Sequence, residues 1–330
     1  MQDEAAMTKA IEAAWDVLGT TSPNPWVGAL LVAIDGSAHV GATEPPGGRH
    51  AEIVALHGAG AAARGSTLYT TLEPCCHQGR TGPCVEAIVA AGVSRVVVGL
   101  EDPDPNVAGG GVEALRRAGV EVEVGVLADD VADQLAAYVK HRRTGRPYVT
   151  LKMAATLDGR SAAPDGSSRW ITGPEARADV HRLRARSDAV LVGAGTARAD
   201  DPELTVRLVP GRDPRRLVLG RAPEGARLLP ATEVSGPLPE VLDHLGGEGV
   251  LSLLVEGGPT VAHSFHRAGL VDRYVLYLAP ALMGGSDGRP VFAGPGVASM
   301  ADVWRGRIVA VQQLGDDLRV DLERPVPVAA

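Results

Sequence analysis

Short apolar runs alternate with helical stretches through the first half of this 330-residue chain. The apolar runs are VGALLVA (27–33), TLYTTL (67–72) and RVVVGL (95–100), and candidate helices lie between them at about 51–63 and 83–91. Continuous runs rich in β-branched residues, separated by helices, are typical of a sheet that helices cover on its faces. The pattern therefore predicts a layered α/β fold.

A break near residue 145 predicts the boundary between two domains. A candidate helix at 129–143 ends in basic residues, which suit the negative end of a helix dipole, and TGRP (144–147) then breaks it. Beyond the break, a long strand candidate at 148–162 begins a second alternating series. Since 330 residues exceed the usual size of one domain, we expect one domain at 1–145 and another at 146–330.

Charge and hydropathy restrict the classes of function. The formal net charge is −8, whereas a protein that binds nucleic acid without sequence preference needs a basic surface. No apolar run reaches the roughly 18 residues that span a bilayer, and the first residues, MQDEAAMTKAIEAAW, do not form the pattern of a signal peptide. We expect a cytoplasmic protein that binds neither nucleic acid nor membrane, although a few arginines can still hold a small anionic ligand.

The three cysteines of the chain lie close together in EPCCHQGRTGPC (73–84), downstream of HAE (50–52). A catalytic zinc ion keeps three protein ligands and one open position, and His50, Cys75 and Cys84 supply such a set. Glu52 can reach a water at the open position without binding the metal, and it would act as general base and then general acid. The arrangement is that of zinc deaminases, with a longer spacer between the cysteines. We expect one zinc ion per chain.

Two alternatives remain open for the cysteine cluster. A structural zinc ion would need a fourth ligand, which Cys76 or His77 can provide, but such a closed site has no use for Glu52. Cys76 can also replace Cys75 as a ligand, although the residue directly after Pro74 fits the deaminase pattern better. Cys76 is therefore expected to line the pocket.

The second half lacks a dinucleotide-binding fingerprint, because GAGTAR (193–198) has no third small residue at the required position. A phosphate site is instead predicted at EGGPT (256–260), where glycines allow close approach of the backbone and Pro259 suits the first helical turn. Free N–H groups there would bind a cofactor phosphate, and the alternative is an ordinary strand–helix turn. Arg184 and Arg207 are candidates for binding the substrate phosphate, with surface salt bridges as the alternative.

Longer motifs resemble a known enzyme family. HAE, TLEPCCHQGRTGPC and EDPDPN, with SPNPWVGALLV upstream, are similar to the deaminase half of the bifunctional riboflavin-biosynthesis enzymes. LKMAATLDGRSA, GTARADDPELTVR and VEGGPTV are similar to the reductase half. In this family a diaminohydroxyphosphoribosylaminopyrimidine deaminase is fused to a 5-amino-6-(5-phosphoribosylamino)uracil reductase. The resemblance covers nearly the whole chain, and the long cysteine spacer with H-x-G-[RK]-T separates it from cytidine and tRNA deaminases.

For the first half, the resemblance implies a cytidine-deaminase-like α/β/α domain. Its zinc ion would be bound by His50, Cys75 and Cys84, and Glu52 would be the proton donor. Contacts with the pyrimidine or the ribose phosphate of the substrate are implied for four residues: Asn24, His77, Arg80 and Asp102.

The sequence departs from the family at three positions. The family often has a histidine where this chain has Thr43, and it usually has a serine where this chain has Cys76. Its DPNP segment is DPDP here, with Asp104 as the exchanged residue. Asn24 also fits simple turn chemistry, since Asn before Pro is common in loops. These positions affect the expected substrate contacts and leave the metal ligands unchanged.

For the second half, the resemblance implies a dihydrofolate-reductase-like α/β domain that binds NADPH. Cofactor contacts would come from Ala154, Trp170, Thr196, Asp200 and the turn Gly258, Pro259, Thr260, Val261, Ala262, His263 and Ser264. Substrate contacts would come from Ser168, Arg184, Leu204, Arg207 and Glu256. The stretch 221–251 is shorter than is usual in the family, and 221–236 within it is expected to be a loop. In the family this stretch would supply part of the contacts with the adenine end of NADPH.

The implied reductase reaction opens the ribosylamine to an imine-like C1′, which hydride from NADPH attacks. Lys152 lies two residues before Ala154 on the same strand and therefore on the same face, where it would polarise or orient the opened sugar. Asp200 and Glu256 are candidates for moving the ring-opening proton. The predicted catalytic residues are thus Glu52, Lys152 and Asp200.

The family also suggests a homodimer or a higher homo-oligomer that forms through the reductase domain. Two other functions stay open. The first is an active deaminase beside a non-catalytic, scaffolding reductase-like domain, which stoichiometric consumption of NADPH would exclude. The second is a deaminase that edits nucleic acid, which the net charge and the shortage of aromatic residues for base stacking disfavour.

Overall fold

The computed structural model describes residues 2–77, 82–104 and 107–324. It divides into two compact units, Met1–Gly145 and Arg146–Ala330. The division lies at the position where the sequence predicts the domain boundary. Among the described residues, no helix is both long and apolar enough to cross a membrane.

The first unit contains a mixed sheet with helices packed against it. Its elements, in chain order, are α1 (Gln2–Asp16), β1 (Gly28–Val32), β2 (Ala38–Ala42), α2 (Ala51–Ala59), β3 (Thr67–Leu72), α3 (Cys84–Ala91), β4 (Arg95–Leu100), α4 (Gly110–Arg117), β5 (Glu121–Val124), α5 (Ala128–Gln134) and α6 (Ala136–Thr144). The strand order is β2-β1-β3-β4-β5. β1 is antiparallel to β2 and β3, whereas β3, β4 and β5 are parallel.

The parallel strands bring two predicted site segments to one edge of this sheet. β3 and β4 run side by side, with Leu72 opposite Leu100 at their carboxyl ends. Cys75 follows the end of β3, and Asp102 follows the end of β4. Since the carboxyl ends of parallel strands meet at the same edge, the two residues leave the sheet together.

Two helices lie directly on the backbone of the sheet. A β-carbon on Gly28 of β1 would lie 1.8 Å from the carbonyl oxygen of Ala10 in α1, and one on Gly41 of β2 would lie 2.1 Å from that of Ala51 in α2. Only glycine permits this approach. Because Ala51 follows His50, the contact with Gly41 also fixes the start of α2, where a metal ligand is predicted.

The second unit contains a larger sheet and a separate two-stranded one. Its elements are β6 (Tyr148–Thr156), β7 (Arg160–Ala162), α7 (Pro174–Ala185), β8 (Ala189–Gly193), α8 (Ala194–Asp200), β9 (Arg215–Leu219), β10 (Thr232–Val234), α9 (Leu238–Gly247), β11 (Ser252–Val255), α10 (Pro259–Arg267), β12 (Arg273–Ala279), β13 (Arg289–Pro290), β14 (Arg307–Leu314) and β15 (Asp317–Glu323). The large sheet has the order β10-β9-β8-β11-β6-β12-β15-β14, and β13 pairs with β7.

β6 lies between β11 and β12 and is parallel to both. Val149, Leu151 and Met153 are buried in a core cluster that includes residues of α9 and α10. Successive side chains of a strand point to opposite faces, so Lys152 and Ala154 face the other side, where Ala154 packs against a cluster with residues of α7. The two residues share a face, as their spacing predicts.

Several segments differ from the elements predicted from the sequence. The predicted helix at 129–143 consists of two helices, α5 and α6, and the predicted strand at 148–162 consists of β6 and β7. The second difference arises because Gly159 adopts a positive φ of 77° and turns the chain between the two strands. The stretch 221–236, expected to be a loop, contains β10, and the sequence analysis identified neither α8 nor α9. β10 has three residues, which is too short for a periodic pattern.

Candidate metal centre and reductase site

The fold brings the three predicted zinc ligands together. His50 is the N-cap of α2, Cys84 is the first residue of α3, and Cys75 lies in the segment after β3. The Nδ1 atom of His50 lies 3.6 Å from the Sγ atom of Cys75 and 3.3 Å from that of Cys84. One ligand atom from each residue falls within 4.8 Å of the others. Both helices therefore begin at the cluster, as the sequence predicts.

The spacing of these atoms fits a tetrahedral zinc ion. Zn–S bonds of about 2.3 Å and a Zn–N bond of about 2.0–2.1 Å place a nitrogen and a sulfur ligand about 3.5 Å apart, close to the two separations observed. Within the described ranges, the metal-type cluster consists of His50, Cys75 and Cys84 and includes neither Cys76 nor His77. Three protein ligands leave one position open, which is typical of catalytic sites.

Cys76 and His77 lie elsewhere than at the ligand positions. The Sγ atom of Cys76 faces the start of α4, because a β-carbon on Gly110 would lie 3.0 Å from it. His77 is exposed. The geometry thus favours Cys75 over Cys76 as the ligand and gives no support to a closed structural site.

The environment of the cluster favours the thiolate of Cys75, whereas the hydrogen bond with Cys75 and burial raise the pKa of Cys84. The backbone N–H of Cys84 donates to the Sγ atom of Cys75 at 3.4 Å, and the N-terminal ends of α2 and α3 add their positive partial charge. Hydrogen bonds from the Cys84 thiol and from His50 lower the pKa of Cys75 to about 4. A deprotonated sulfur is the form that binds zinc.

Glu52 lies in the first turn of α2, beside the ligand cluster. Its side chain is buried, with 3% exposure, and its carboxyl is within hydrogen-bonding reach of Cys84. Burial raises the pKa of Glu52 to about 7. A carboxyl group with such a pKa can exchange protons near neutral pH, as general acid–base catalysis requires.

The residues predicted to contact the deaminase substrate are in different environments. Asp102 is buried, and burial raises its pKa to about 6. Asn24 is half-buried in a turn, in which its N–H donates to the carbonyl oxygen of Thr21 at 2.9 Å. His77 is exposed, and Arg80 lies outside the described residues.

Thr43 replaces the histidine that the family often has, and it is bonded inside the fold. Its Oγ1 atom accepts the N–H of Val27 at 3.1 Å and donates to the carbonyl oxygen of Val27 at 3.3 Å. The side chain is buried, with 3% exposure. Thr43 therefore holds the entry to β1.

Glu73 and Tyr138 are two residues near the site that the sequence analysis missed. Glu73 is buried and accepts backbone N–H groups, and the hydroxyl of Tyr138 donates to Asp102. The position of Glu73, an acidic residue directly after a buried strand and before Pro74, was a signal that could have identified it. No local pattern distinguishes Tyr138, whose partner lies 36 residues away.

In the second unit, a buried ion pair lies beside Lys152. Arg184 of α7 donates from Nε and from one terminal nitrogen to the two oxygens of Glu256, at 2.6 and 2.9 Å. Burial opposes the charge of Glu256, but Arg184 and Lys152 outweigh this effect and lower the pKa of Glu256. Burial lowers the pKa of Lys152, against the attraction of Glu256. The ion pair of Arg184 is thus buried, and the alternative that Arg184 forms a surface salt bridge is wrong.

The other predicted substrate residues of this unit lie near α7. The side chain of Arg207 is exposed and forms an ion pair with Glu203 at 2.7 Å. The surface salt bridge that was the alternative for Arg207 is therefore present. Its backbone N–H donates to Nδ1 of His181 at 3.0 Å. Leu204 is buried with a positive φ of 58°, and Ser168 is half-buried.

The predicted cofactor turn at the start of α10 is tied to α8. The N–H of Gly258 donates to Oγ1 of Thr196 at 2.9 Å, so this group is not free for a phosphate. Ala262 is buried in the core and Val261 packs against it, and the hydroxyl of Ser264 donates to the carbonyl oxygen of Thr260 at 2.9 Å. A ligand would therefore not meet the side chain of Ala262, whereas Val261 is only partly buried.

Trp170 and Asp200, also predicted at the cofactor site, are accessible. The ring of Trp170 has 69% exposure, and the guanidinium of Arg177 lies 4.6 Å from the ring centroid. Asp200 ends α8, is half-buried, and lies close enough to Lys152 to interact with its charge. An exposed aromatic ring beside arginines can stack on a planar, anionic ligand.

Comparison with known proteins covers both units. Residues 147–320 match the family described as the RibD C-terminal domain, and residues 1–100 match the cytidine and deoxycytidylate deaminase zinc-binding region. The riboflavin biosynthesis protein RibD of Mycobacterium tuberculosis is 44% identical, over 97% of this chain and 96% of that protein. The RibD protein of Escherichia coli is 39% identical, over 98% and 99%.

Solved structures agree with the sequence relatives. The RibD structure of Acinetobacter baumannii in its first form superimposes with a TM-score of 0.92 at 39% identity, covering 98% of this chain and 99% of that chain. The diaminohydroxyphosphoribosylaminopyrimidine deaminase/5-amino-6-(5-phosphoribosylamino)uracil reductase of Thermotoga maritima superimposes with a TM-score of 0.89 at 34% identity, with the same coverage. The chain therefore belongs to the RibD family of riboflavin-biosynthesis enzymes and is a bifunctional deaminase and reductase with a zinc-binding deaminase region.

Proposed function

We propose that the chain deaminates 2,5-diamino-6-(5-phosphoribosylamino)pyrimidin-4(3H)-one by hydrolysis and then reduces the ribosyl group of the product to ribityl with NADPH. The observation that carries the proposal is the open three-ligand cluster of His50, Cys75 and Cys84 beside the buried carboxyl of Glu52. The Thermotoga maritima relative is named as a deaminase of a diaminopyrimidine ribotide and a reductase of a uracil ribotide. Since the uracil is the deaminated ring, this name supports both the substrate class and the order of steps.

In the deaminase step, His50, Cys75 and Cys84 would hold the zinc ion, which would supply nucleophilic hydroxide at neutral pH. Glu52 accepts the proton of the attacking water on its carboxylate and delivers it to the departing amine. Burial of Glu52 supports this role, because a raised pKa lets the same group hold the proton between the two transfers.

We assign the contacts with the pyrimidine ribotide to Asn24, His77, Arg80 and Asp102. An amide, an imidazole and a carboxylate can recognise the edges of the ring and the ribose, and a guanidinium can bind the phosphate. The position of Asp102 supports this assignment, since it leaves the same edge of the sheet as Cys75.

We assign the binding of NADPH to Ala154, Trp170, Thr196, Asp200 and the turn Gly258–Ser264. The accessible ring of Trp170 and the exposed start of α10 support this assignment. Because the N–H of Gly258 is taken by Thr196, a phosphate at this turn would be bound by the N–H groups of Thr260 and Val261.

In the reductase step, NADPH supplies the hydride. As the sugar opens, the proton of the ribosylamine nitrogen can pass through Glu256 or Asp200 to the ring oxygen, which leaves an imine. When the hydride adds to C1′ of the imine, the nitrogen takes up one proton from solvent or from a neighbouring acid. Lys152 orients the opened sugar at C1′, and Ser168, Leu204 and Arg207 complete the contacts with the substrate. Arg184 contributes by holding Glu256. The lowered pKa of Lys152 supports a role in which it also gives up a proton.

We also propose a homodimer or higher homo-oligomer that forms through the reductase unit, in the cytoplasm. β14 is an end strand of the large sheet, and it exposes Ile308 and Val311 at 59% and 61%. An exposed apolar edge strand can pair with a second chain. Cys75, Cys76 and Cys84 form no disulfide bond with one another, which suits a reducing compartment. Sedimentation of the purified protein measures the oligomer.

The proposal is tested by supplying the diaminopyrimidinone ribotide to the purified zinc-loaded protein, with and without NADPH. Mass spectrometry should show exchange of an amino group for oxygen without NADPH, and additional gain of hydrogen with NADPH. One NADPH should be oxidised for each ribityl product. Deamination without oxidation of NADPH on the deaminated ribotide would instead support a scaffolding role for the second unit.

A further inference from the structure

Asp102 is held from two sides by buried side chains. Its backbone N–H donates to Oε2 of Glu73 at 3.1 Å. Its carboxylate accepts the hydroxyl of Tyr138, which lies 3.1 Å from one oxygen and 3.2 Å from the other. Glu73 lies in the first unit directly after β3, and Tyr138 lies on α6. Backbone and side chain of the same residue are thus fixed by two different elements.

Glu73 connects more than one point of the segment around Asp102. Its carboxylate also accepts the N–H of Gly109 at 2.9 Å and that of Val112 at 2.9 Å. An ionised carboxylate accepts hydrogen bonds through four lone pairs, and these backbone groups use most of them. Glu73 therefore ties Asp102, Gly109 and Val112 to the turn that carries Cys75.

The same segment is packed tightly against that turn. A β-carbon on Gly111 would lie 2.0 Å from the carbonyl oxygen of Pro74, so the backbones touch. Glu73 has 3% exposure, so burial and the three backbone hydrogen bonds keep its carboxylate from a ligand. Any effect of Glu73 on the substrate must therefore pass through the segment that it holds.

Tyr138 restrains the Asp102 carboxylate but does not occupy all of its hydrogen-bond acceptor positions. Burial raises the pKa of Tyr138, so the phenol keeps its proton and remains a donor. Arg142 lies over the ring, 5.0 Å from its centroid. Besides the Tyr138 hydroxyl, Oδ1 of Asp102 accepts the N–H of Asp104 at 2.9 Å. Among the described residues, the hydrogen-bond partner of Oδ2 is the Tyr138 hydroxyl, and a carboxylate oxygen has a second lone pair that can accept a hydroxyl of the substrate.

We propose that Glu73 and Tyr138 are positioning residues of the deaminase, which hold the carboxylate of Asp102 in place so that Oδ2 can accept a hydrogen bond from the ribotide. This inference rests on the proposed contact between Asp102 and the substrate. Since a substrate that finds Asp102 already oriented loses less entropy on binding, the two residues act on substrate affinity. They act on neither the metal nor the proton transfer by Glu52.

The test uses Glu73→Gln and Tyr138→Phe in the full-length, zinc-loaded protein, with deamination measured without NADPH. Each variant should raise the KM for the ribotide by about five- to tenfold, the scale of one lost hydrogen bond, while kcat changes by less than about twofold and zinc content stays at the wild-type value. Reduction of the deaminated ribotide should be unchanged. A merely structural role would lower the active fraction and leave KM unchanged.

Asp188→Asn is the matched control. Asp188 is another carboxylate that accepts backbone N–H groups, from Leu251 and Ser252 at 3.0 Å each, but it belongs to the second unit. Its exchange should leave the KM for deamination unchanged. A rise equal to that of Glu73→Gln would overturn the inference, because the effect would then not depend on Asp102.

Asp102→Asn separates failure of this inference from failure of the proposed function. If Asp102→Asn raises KM but Tyr138→Phe and Glu73→Gln do not, the positioning role is wrong and the substrate contact stands. If Asp102→Asn leaves KM unchanged, both are wrong. Loss of zinc from the Glu73→Gln variant would also overturn the role proposed for Glu73, because that role does not involve the metal. Should Glu73→Gln fail to fold, Tyr138→Phe decides alone, since it removes one hydroxyl and keeps the ring.

Discussion

The guanidinium of Arg184 donates to both oxygens of the Glu256 carboxylate, and the side chains have 11% and 7% exposure. The bidentate geometry is the strongest form of such a pair. Because burial removes both groups from water, each depends on the other for most of its compensation, although Lys152 also offsets part of the charge of Glu256. The pair therefore fixes, and keeps ionised, a carboxylate that we propose takes part in opening the sugar.

Replacing Arg184 should destabilise the second unit and impair reduction. Arg184→Ala leaves Glu256 buried without its bidentate partner, which costs up to about 3–5 kcal/mol of the free energy of unfolding, and Lys152 offsets part of this cost. Urea denaturation and NADPH oxidation measure the two effects. Arg117→Ala is the control, since Arg117 forms an exposed pair with Glu113 at 3.7 Å, and such pairs contribute less than about 1 kcal/mol. Equal losses in the two variants would contradict the role of burial.

Exchange of single cysteines should separate ligands from neighbours. Cys75→Ser and Cys84→Ser should lose both zinc and deamination, because each removes one of the three protein ligands of an open site. Cys76→Ser should keep about one zinc ion per chain, since the Cys76 thiol faces the start of α4. Elemental analysis after dialysis measures the metal. Loss of zinc from Cys76→Ser would show that the ligand assignment is wrong.

Glu52→Gln should separate chemistry from metal binding. The amide keeps the size of the side chain but cannot take up and return a proton, so deamination should fall by at least roughly a hundredfold. Zinc content should remain normal, because Glu52 is not among the clustered ligands. The measurement is single-turnover deamination together with zinc content. Normal turnover with normal zinc would assign the proton transfer to another residue.

The sequence predicts the zinc cluster well because its ligands are defined by residue type and by short spacing. His50 and Cys84 each begin a helix, which the apolar pattern locates. The reductase site is different. Arg184 and Glu256 lie 72 residues apart, and no local pattern indicates that their side chains meet. Tyr138 and Asp102 are a second case, 36 residues apart. Contacts of this kind are created by the tertiary fold, so they need a structure.

His181 should make the stability of the second unit depend on pH. Its Nδ1 atom accepts the N–H of Arg207, which requires the neutral ring. Burial, and then the charges of Arg184 and Arg207, lower the pKa of His181 from 6.5 to about 4. Between these values the unfolded chain binds a proton that the folded chain does not. The free energy of unfolding should therefore fall as the pH falls from 6.5 towards 4.

The variant His181→Asn tests this dependence, because an amide does not titrate in that range. Between pH 7 and pH 5 the wild-type protein should lose about 1 kcal/mol more stability than the variant, after allowance for solvent around the ring. Urea denaturation of both proteins at the two pH values gives the difference. Parallel losses would mean that His181 titrates alike in the folded and unfolded chains.

The two active sites should fail independently. The zinc cluster and Glu52 lie in the unit Met1–Gly145, whereas Lys152 and Asp200 lie in Arg146–Ala330, and no residue assigned to either reaction comes from the other unit. Glu52→Gln should still reduce the deaminated ribotide with NADPH, and Lys152→Ala or Asp200→Ala should still deaminate the first substrate. Each reaction is measured by mass spectrometry with its own substrate.

Arg207→Ala refines the same test within the second unit. If its exposed guanidinium binds the phosphate equally in the ground state and in the transition state, the variant should raise the reductase KM more than it lowers kcat. Its deaminase constants should be those of the wild type. Loss of deamination in the Lys152 or Asp200 variant, with circular dichroism and zinc content unchanged, would contradict independence. It would mean that the chemistry of one unit requires groups of the other.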